Sequence, residues 1–178
     1  LRSLVGSEMC IRDSRYSAIM SRGEGVIAVS NCIRDYILTH YPSTPEDHIR
    51  IIPNAISPDQ HHPDYSPSRE WLTGWHMSYP ELKGKFTLCL PGRITRLKGQ
   101  LDLIPIVRQL LERGIPAHAV IVGETKKGKE EYKNEVLREI ERAGVSHAFT
   151  WTGHRQDLRD IISTCSVTLS LTLSLIHI

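Results

Sequence analysis

The sequence predicts an α/β fold in which helices cover both faces of a parallel sheet. From Phe86 onwards, short apolar runs alternate with amphipathic segments in the order β-α-β-α-β-α-β, and strands connected through helices run parallel. A glycine follows three of these runs, at Gly92, Gly123 and Gly153. The carboxyl ends of parallel strands share one rim of the sheet, where ligands of such folds bind. We therefore expect a ligand cleft beside these glycines.

The composition favours a soluble globular domain and excludes several functions. The chain has 178 residues, of which 40% are hydrophobic and 24% charged, and its net charge is +2, so no broad positive field attracts nucleic acid. The four cysteines and nine histidines are scattered without a metal-ligand spacing. Unpaired cysteines indicate a reducing, cytoplasmic compartment. No apolar run reaches the roughly 20 residues of a membrane span.

Both ends of the chain look foreign to the fold. The segments LVGSEMCIRDS (4–14) and LSLIHI (173–178) resemble translated sequencing-adaptor read-through. The alternatives are a frayed tail at the first end and an apolar strand at the second. We treat 1–14 and 173–178 as adaptor-like tails and exclude them from the fold, which leaves 15–172 as the native segment.

The first part of the native segment, 15–85, predicts two short strands and two helices. The apolar run 25–29 indicates a strand, after which Ser30 caps a helix over Asn31–His40 that Pro42 ends. The run 49–52 indicates a second strand. Ser66 and Pro67 are typical of a helix start and predict a helix over 68–77, in which Trp71 and Trp75 share a core-facing side.

The stretch Phe86–Ile104 carries the strongest functional signal. A strand over Phe86–Leu90 ends at Gly92, and a helix starts near Gln100. Between them lie three basic residues, Arg93, Arg96 and Lys98. A glycine turn lets a ligand approach the backbone, and a helix start offers unpaired N–H groups and a positive dipole end. Two readings remain open at this point: a phosphate site and an ordinary loop with solvated cations.

The remaining elements of the core, 86–172, follow from the same patterns. Pro105 leaves the start of the next helix open, either at Gln100 or nearer Leu103. The predicted elements are a helix at Gln100–Arg113, a strand at Ala117–Val122, a helix at Glu130–Ala143 with Tyr132, Val136, Leu137 and Ile140 inward, a strand at His147–Thr152, a helix at Asp157–Ser163 and a strand at Ser166–Leu171.

At this point five segments together resemble a known family. They are similar to motifs of the Rossmann-like, nucleotide-sugar-binding C-terminal half of GT-B retaining glycosyltransferases, of the group 1 or family 4 type. Ala55 stands where that family usually has glycine. The segments are VIAVSN (26–31), IIPNAI (51–56), PGRITRLKGQLDLI (91–104), VIVGE (120–124) and TGHRQDLRDIIS (152–163).

The resemblance implies roles for individual residues. Arg93 and Lys98 resemble the pair that holds the donor's diphosphate, and Gly92 the glycine that admits it. Gly153, His154 and Arg155 resemble the loop beside the nucleotide base. Asp157 belongs either to that loop or to a helix N-cap. The family's E-x7-E acidic pair is expected beyond Thr172, so no catalytic residue is assigned in this chain.

The resemblance also implies a function. The parent protein is expected to be a hexosyltransferase-type glycosyltransferase that moves a sugar from a nucleotide-sugar to a glycan or lipid-linked acceptor with retention, in lipopolysaccharide or cell-envelope synthesis. The chain is then a truncated fragment, inactive alone, with 15–85 as the interdomain crossover and the start of the donor-binding domain. No metal or other cofactor is expected, and membrane contact is peripheral, through an N-terminal acceptor domain. The alternative is a non-catalytic nucleotide-diphosphate-binding or interaction module.

Overall fold

The computed structural model describes residues 21–58, 62 and 64–172, and the described residues form two compact units. The first unit extends to residue 62 and the second starts after it. The segments 1–14 and 173–178, interpreted above as adaptor-like tails, lie outside the described residues.

The first unit contains a pair of parallel strands with a helix between them. Strand β1 (Val26–Ala28) lies beside β2 (Ile49–Ile51), and α1 (Asn31–His40) connects them. The Ser30 hydroxyl accepts a hydrogen bond from the amide of Ile33 at 3.3 Å, which confirms the predicted cap. Val26, Ala28, Ile37 and Ile49 form a small buried cluster.

The second unit is a four-stranded parallel sheet in which the strands, counted along the chain, lie side by side in the order third, second, first, fourth. This order is that of the first part of a Rossmann sheet, in which the second crossover continues outward and the third returns to the other side of the first strand. The predicted fold class is therefore confirmed. The strands are β3 (Phe86–Pro91), β4 (Ala117–Val122), β5 (Phe149–Gly153) and β6 (Val167–Thr168).

Helices cover both faces of this sheet. Side chains of helix α3 (Gln100–Glu112) and of strands β3 and β4 form one buried cluster around Leu103 and Val107. On the opposite face, Trp75 and Ile161 pack on Cys89 and Val120. Since the strands are parallel and helices cover both sides of the sheet, both faces must be apolar. The helices are α2 (Arg69–Ser78), α3 (Gln100–Glu112), α4 (Glu131–Arg142) and α5 (Leu158–Thr164).

The structure corrects several predicted boundaries. Helix α2 is capped by Ser68, whose hydroxyl accepts from the Trp71 amide, and not by Ser66. Strand β5 starts two residues later than predicted, after a 3₁₀ turn over Ser146–Ala148. Strand β6 keeps only two of the six predicted residues and pairs with β3 alone. Leu137 is 40% exposed, although an inward position was predicted.

Helix α3 begins at Gln100, so Pro105 lies inside it and not in its first turn. Proline has no amide hydrogen, and one internal hydrogen bond of the helix is lost. At its end, the amides of Gly114 and Ile115 bond to the carbonyls of Leu111 and Leu110, and Gly114 has φ +77°. This left-handed glycine ends the helix as predicted.

A polar chain crosses the face of the sheet that α2 covers. His118, which is 2% exposed, shares a hydrogen bond of 2.8 Å with the Thr150 hydroxyl, and that hydroxyl donates to Glu81 at 2.7 Å. Because a hydroxyl has a single hydrogen, His118 must be the donor to Thr150 through Nε2–H. Burial lowers the pKa of His118. The charge of Glu81 opposes this effect and raises the pKa, whereas Lys85 and His147 lower it further.

We expect His118 to make the free energy of unfolding depend on pH. Its pKa is lower in the folded than in the unfolded chain, so the stability it contributes is complete above the ordinary value of about 6.5 and is lost as the pH falls below it, by up to about 1.4 kcal/mol per pH unit. Urea unfolding followed by tryptophan fluorescence between pH 8 and pH 5 measures this. His118→Gln, whose amide can still donate to Thr150, should remove that share of the slope. An unchanged slope in the variant would contradict the assignment.

Among the described residues, no helix combines the length and the apolar character needed to span a bilayer.

Candidate functional site

The candidate site lies at the carboxyl rim of the sheet in the second unit. Strand β3 pairs with β4 on one side and with β6 on the other, whereas β5 lies beyond β4. The chain therefore leaves β3 at the point where the strand order reverses. In open parallel sheets, ligands bind outside the carboxyl ends of the strands at this point. The loop that follows β3 is the one placed there.

Glycines pack the backbone of the rim closely together. The Gly92 amide donates to the Val122 carbonyl at 2.9 Å, and the Gly123 amide donates to the Gly153 carbonyl at 2.8 Å. A Cβ on Gly123 would lie 2.1 Å from the Gly92 carbonyl oxygen. Gly123 also has φ +145°, which other residues rarely adopt. The three glycines predicted at the rim are therefore in direct succession across the strands.

The loop from Gly92 to Gly99, called here the β3–α3 loop, holds two cations in an open position. The aliphatic chain of Lys98 crosses Gly92, since a Cβ built there would be 3.6 Å from Lys98 Cδ. Arg93 is exposed. Among the described residues, neither Arg93 nor Lys98 has an ion-pair partner. Their charges are available to an anion.

Arg96, the third basic residue of the loop, is directed elsewhere. Its guanidinium donates two hydrogen bonds to Glu135 on α4, one of them at 3.1 Å, and lies 5.2 Å from the centre of the Tyr132 ring. This ion pair fastens the loop to α4. Arg96 is thus separated from the other two cations, a distinction that the sequence pattern does not make.

A buried glutamine holds the backbone of the β3–α3 loop in place. Gln100, at the start of α3, is fully buried, and its side-chain amide donates to the Arg93 carbonyl at 3.1 Å. The amide of Ile94 donates to the Glu124 carbonyl at 3.1 Å. The Ile94 side chain packs in a buried cluster with residues of α3 and α4. The backbone that carries Arg93 is therefore fixed before any ligand arrives.

The segment after β6 reaches the same rim. Gly99 has φ +68°, and a Cβ on it would lie 2.3 Å from the Leu171 carbonyl oxygen. The Leu169 amide donates to the Cys89 carbonyl at 2.8 Å. The Leu171 carbonyl therefore lies beside Gly99, the residue that precedes α3. Asp102 stands in the first turn of that helix, where a carboxylate also interacts favourably with the dipole.

The loop after β5 contains the other predicted residues. Gly153 has φ +72°, and a Cβ there would meet only the flexible Glu124 carboxylate, at 3.3 Å. His154 is exposed. Arg155 instead donates two hydrogen bonds to Asp157, at 2.8 and 2.6 Å.

Asp157 joins this loop to α2 and makes no capping bond to α5. Besides Arg155, it accepts a 2.8 Å hydrogen bond from the indole N–H of Trp71, and no side-chain capping bond is present at the start of α5. Asp157 therefore occupies the N-cap position of α5, as the alternative interpretation predicted, but its side chain does not cap the helix. Hydrogen bonding from Arg155, and less so from Trp71, holds the pKa of Asp157 below its ordinary value against the effect of burial.

We expect Asp157→Ala to destabilise the second unit by about 1–3 kcal/mol, because it leaves Trp71 and Arg155 without their shared acceptor. Asp157→Asn keeps one oxygen acceptor and should cost less. Glu139→Ala removes an exposed pair with Arg142 and serves as the control, with an expected loss below about 1 kcal/mol. Urea unfolding gives all three values. Equal losses for Asp157→Ala and Glu139→Ala would contradict this role.

The structure places the predicted site residues at one rim, but it groups them differently from the sequence-based prediction. Gly92, Arg93 and Lys98 share the β3–α3 loop, whereas Arg155 and Asp157 are occupied with each other. Gln100 was missed. It shares a helical face with Leu103, Ile104 and Val107, so its position as the one polar residue on an apolar face was a usable signal. The Trp71 contact left no signal in the sequence.

A comparison with protein-family models identifies the family of the chain. The model described as glycosyl transferases group 1 matches residues 75–174, which is more than half of the chain. The chain belongs to this family. The matched range includes the whole sheet of the second unit and the β3–α3 loop. No curated protein sequence matches the chain.

Solved structures of GT-B glycosyltransferases have the same fold. Anabaena HepE in complex with UDP-glucose aligns with a TM-score of 0.75 at 18% identity, over 90% of this chain and 42% of that one. A glycosyltransferase from Rickettsia africae aligns with a TM-score of 0.72 at 22% identity, over 90% and 41%. WaaG, a glycosyltransferase of lipopolysaccharide biosynthesis, aligns at 0.63 and 16%, over 83% and 38%. The group 1 chain thus spans about two fifths of these structures.

Proposed function

We propose that the chain is the donor-binding part of a glycosyltransferase and that the β3–α3 loop holds the diphosphate of a nucleotide-sugar. The observation that carries this proposal is that Arg93 and Lys98 have no ion-pair partner among the described residues and lie on a loop fixed at the switch point of the sheet. Membership of the glycosyl transferases group 1 family supports it.

The charge arrangement suits the chemistry of sugar transfer. When the sugar leaves, negative charge grows on the diphosphate, and groups that are already in place stabilise it best. Arg93 can bind two phosphate oxygens through its planar guanidinium, and Lys98 acts as a point charge. The start of α3 adds a positive dipole end. Gly92 leaves the backbone open to close approach.

The base of the nucleotide is proposed to lie beside Gly153, His154 and the backbone of Arg155. Because Arg155 is bound to Asp157, the side chain of Arg155 shapes this loop and its main chain faces the ligand. Asp157 therefore acts by positioning the loop. His154 is exposed and is proposed to contact the base or the sugar.

The reaction proposed for the whole protein is transfer of a hexose to an acceptor hydroxyl with retention at the anomeric carbon, in the cytoplasm. HepE has been solved with UDP-glucose, which makes a uridine donor the first to test. WaaG acts in lipopolysaccharide biosynthesis, and a cell-envelope glycan or lipid-linked acceptor is proposed here by analogy of fold. The catalytic acidic pair and the acceptor site are proposed to lie outside the described residues.

The nucleotide is proposed to bind without a divalent metal, because two cations and a helix start already face the diphosphate. EDTA should therefore leave any stabilisation by UDP unchanged, and added Mg²⁺ should not increase it. A stabilisation that depends on Mg²⁺ would contradict this part of the proposal. Thermal unfolding with UDP, with and without each reagent, measures the effect.

The test of the proposed function is thermal unfolding of the full chain with nucleosides and nucleoside diphosphates. UDP, GDP or ADP should raise the melting temperature. At a ligand concentration of 100 Kd, binding adds about 2.7 kcal/mol to the free energy of unfolding. The matching nucleoside should have a much smaller effect, because it lacks the diphosphate. If no diphosphate shifts the transition, or if uridine shifts it as much as UDP, the phosphate site is wrong.

A further inference from the structure

A pair of thiols lies on the sheet face away from α3. Cys89, in the middle of β3, is fully buried among Trp75, Val120 and Ile161. Cys165 follows α5 directly and packs against the same cluster. Both are free thiols. They are 76 positions apart in the sequence, and the packing of α5 against β3 places both in this one cluster.

Cys165 also lines a cavity that Cys89 does not line. The cavity has a volume of about 310 Å³ and lies at the amino end of β3, away from the β3–α3 loop. Lys83, Lys85 and His76 belong to its wall, and no acidic residue does. A small solute can therefore reach Cys165 through basic surroundings, whereas Cys89 is fully buried and does not line the cavity.

The two thiols differ in acidity. The Cys89 thiol, and less so the hydroxyls of Thr87 and Thr164, lower the pKa of Cys165 against the effect of burial. Contact with Cys165, followed by burial, raises the pKa of Cys89. Thiolates are the reactive form of cysteine, and acidic, accessible thiols beside cations oxidise first. Because Cys165 lines the cavity and Cys89 is fully buried, we assign Cys165 as the attacking thiol and Cys89 as the resolving one.

We propose that Cys165 is an oxidation site whose product is a disulfide with Cys89. The Cys165 thiolate attacks one oxygen of hydrogen peroxide, the O–O bond breaks, and the hydroxide that leaves is protonated to water. The resulting sulfenic acid is attacked by the sulfur of Cys89. The S–O bond breaks, the S–S bond forms, and the second hydroxide takes the Cys89 proton. Two thiols are oxidised, and one peroxide is reduced to two water molecules.

The disulfide would join β3 to the segment that begins β6. These are the two strands on either side of the switch point, so the crosslink would fasten the edge strand to the centre of the sheet. Cys165 stands at the end of α5, and its side chain can turn without moving a regular element. The proposal does not depend on nucleotide binding.

The test is peroxide treatment of the full chain with Cys10→Ser and Cys32→Ser, which leaves only the two thiols. Intact mass should fall by two hydrogen atoms, a peptide containing the Cys89–Cys165 crosslink should appear, and a reducing agent should reverse both. Adding Cys89→Ser should stop the reaction at a sulfenic acid on Cys165, which dimedone traps. Adding Lys83→Ala and Lys85→Ala should slow the first step severalfold.

Three results would overturn the proposal. They are retention of both thiols after peroxide treatment, conversion of Cys165 to a sulfinic acid without a crosslink, and a disulfide that forms only between two chains. The measurement on the chain with both thiols needs no further variant, so a failure of Cys89→Ser to fold does not affect it. Iodoacetamide labelling gives an independent check, since Cys165 should react in the folded chain and Cys89 only after unfolding.

Discussion

Gly123→Ala should destabilise the second unit by at least about 3 kcal/mol. Two costs add in this variant. The φ of +145° is strained for any residue with a Cβ, which costs about 1–3 kcal/mol. The new methyl group would also lie 2.1 Å from the Gly92 carbonyl oxygen and 2.8 Å from its carbon, and both atoms belong to backbone that cannot move without opening the β3–β4 rim. Losses of this size have few causes other than strain and overpacking.

Two glycine variants serve as controls for Gly123→Ala. Gly74→Ala, in helix α2, meets no atom within 4 Å and should stabilise by about 0.5–1 kcal/mol. Gly153→Ala should fall between the two, at about 1–2 kcal/mol, because its φ is left-handed but only a side-chain tip is near. All three tryptophans, at 71, 75 and 151, belong to the second unit, so fluorescence reports its unfolding. A loss for Gly123→Ala no larger than that for Gly153→Ala would contradict the close packing of the rim.

Arg93→Ala combined with Lys98→Ala should abolish stabilisation by nucleoside diphosphates. Each hydrogen bond between charged partners contributes about 1.5–3 kcal/mol, so the double variant should weaken binding by at least about a hundredfold. The stability without ligand should change little, because neither side chain has an ion-pair partner among the described residues. Thermal unfolding with increasing UDP concentration measures both quantities in one series.

Arg96→Ala is the matched control for this double variant. It removes the same kind of charge from the same loop, but its guanidinium is bound to Glu135. UDP should still stabilise the Arg96→Ala chain, with at most a small loss of affinity from the weaker attachment of the loop to α4. If Arg96→Ala weakens UDP as much as the double variant does, general charge and not a specific site explains the binding.

Local signals in the sequence were sufficient for most elements. Ser30 and Pro42 predicted both ends of α1, and the continuous apolar run predicted β4 to the residue. These elements are determined by their own residues: a side chain that caps, a ring that cannot continue a helix, and a run that fits a central strand. The anion-site reading of the β3–α3 loop likewise followed from glycines and cations that are close in sequence.

Ser66 and Ser68 are equally good caps by type, and the contact of Ser68 with the Trp71 amide decides between them. Other features that the sequence did not predict depend on distant partners. Arg155 and Asp157 were assigned to the ligand, whereas Trp71, 86 residues from Asp157, draws the pair towards α2. Arg96 and Arg93 look alike in the sequence, and only the position of Glu135 on α4 distinguishes them.

The most direct test of the phosphate site is a crystal structure of the chain grown with UDP. We expect diphosphate oxygens to lie within hydrogen-bonding distance of the Arg93 guanidinium and the Lys98 ammonium, next to Gly92 and the start of α3, with the base towards Gly153. Arg96 should remain on Glu135. UDP bound elsewhere on the chain, or a diphosphate held without Arg93 and Lys98, would contradict the proposed function.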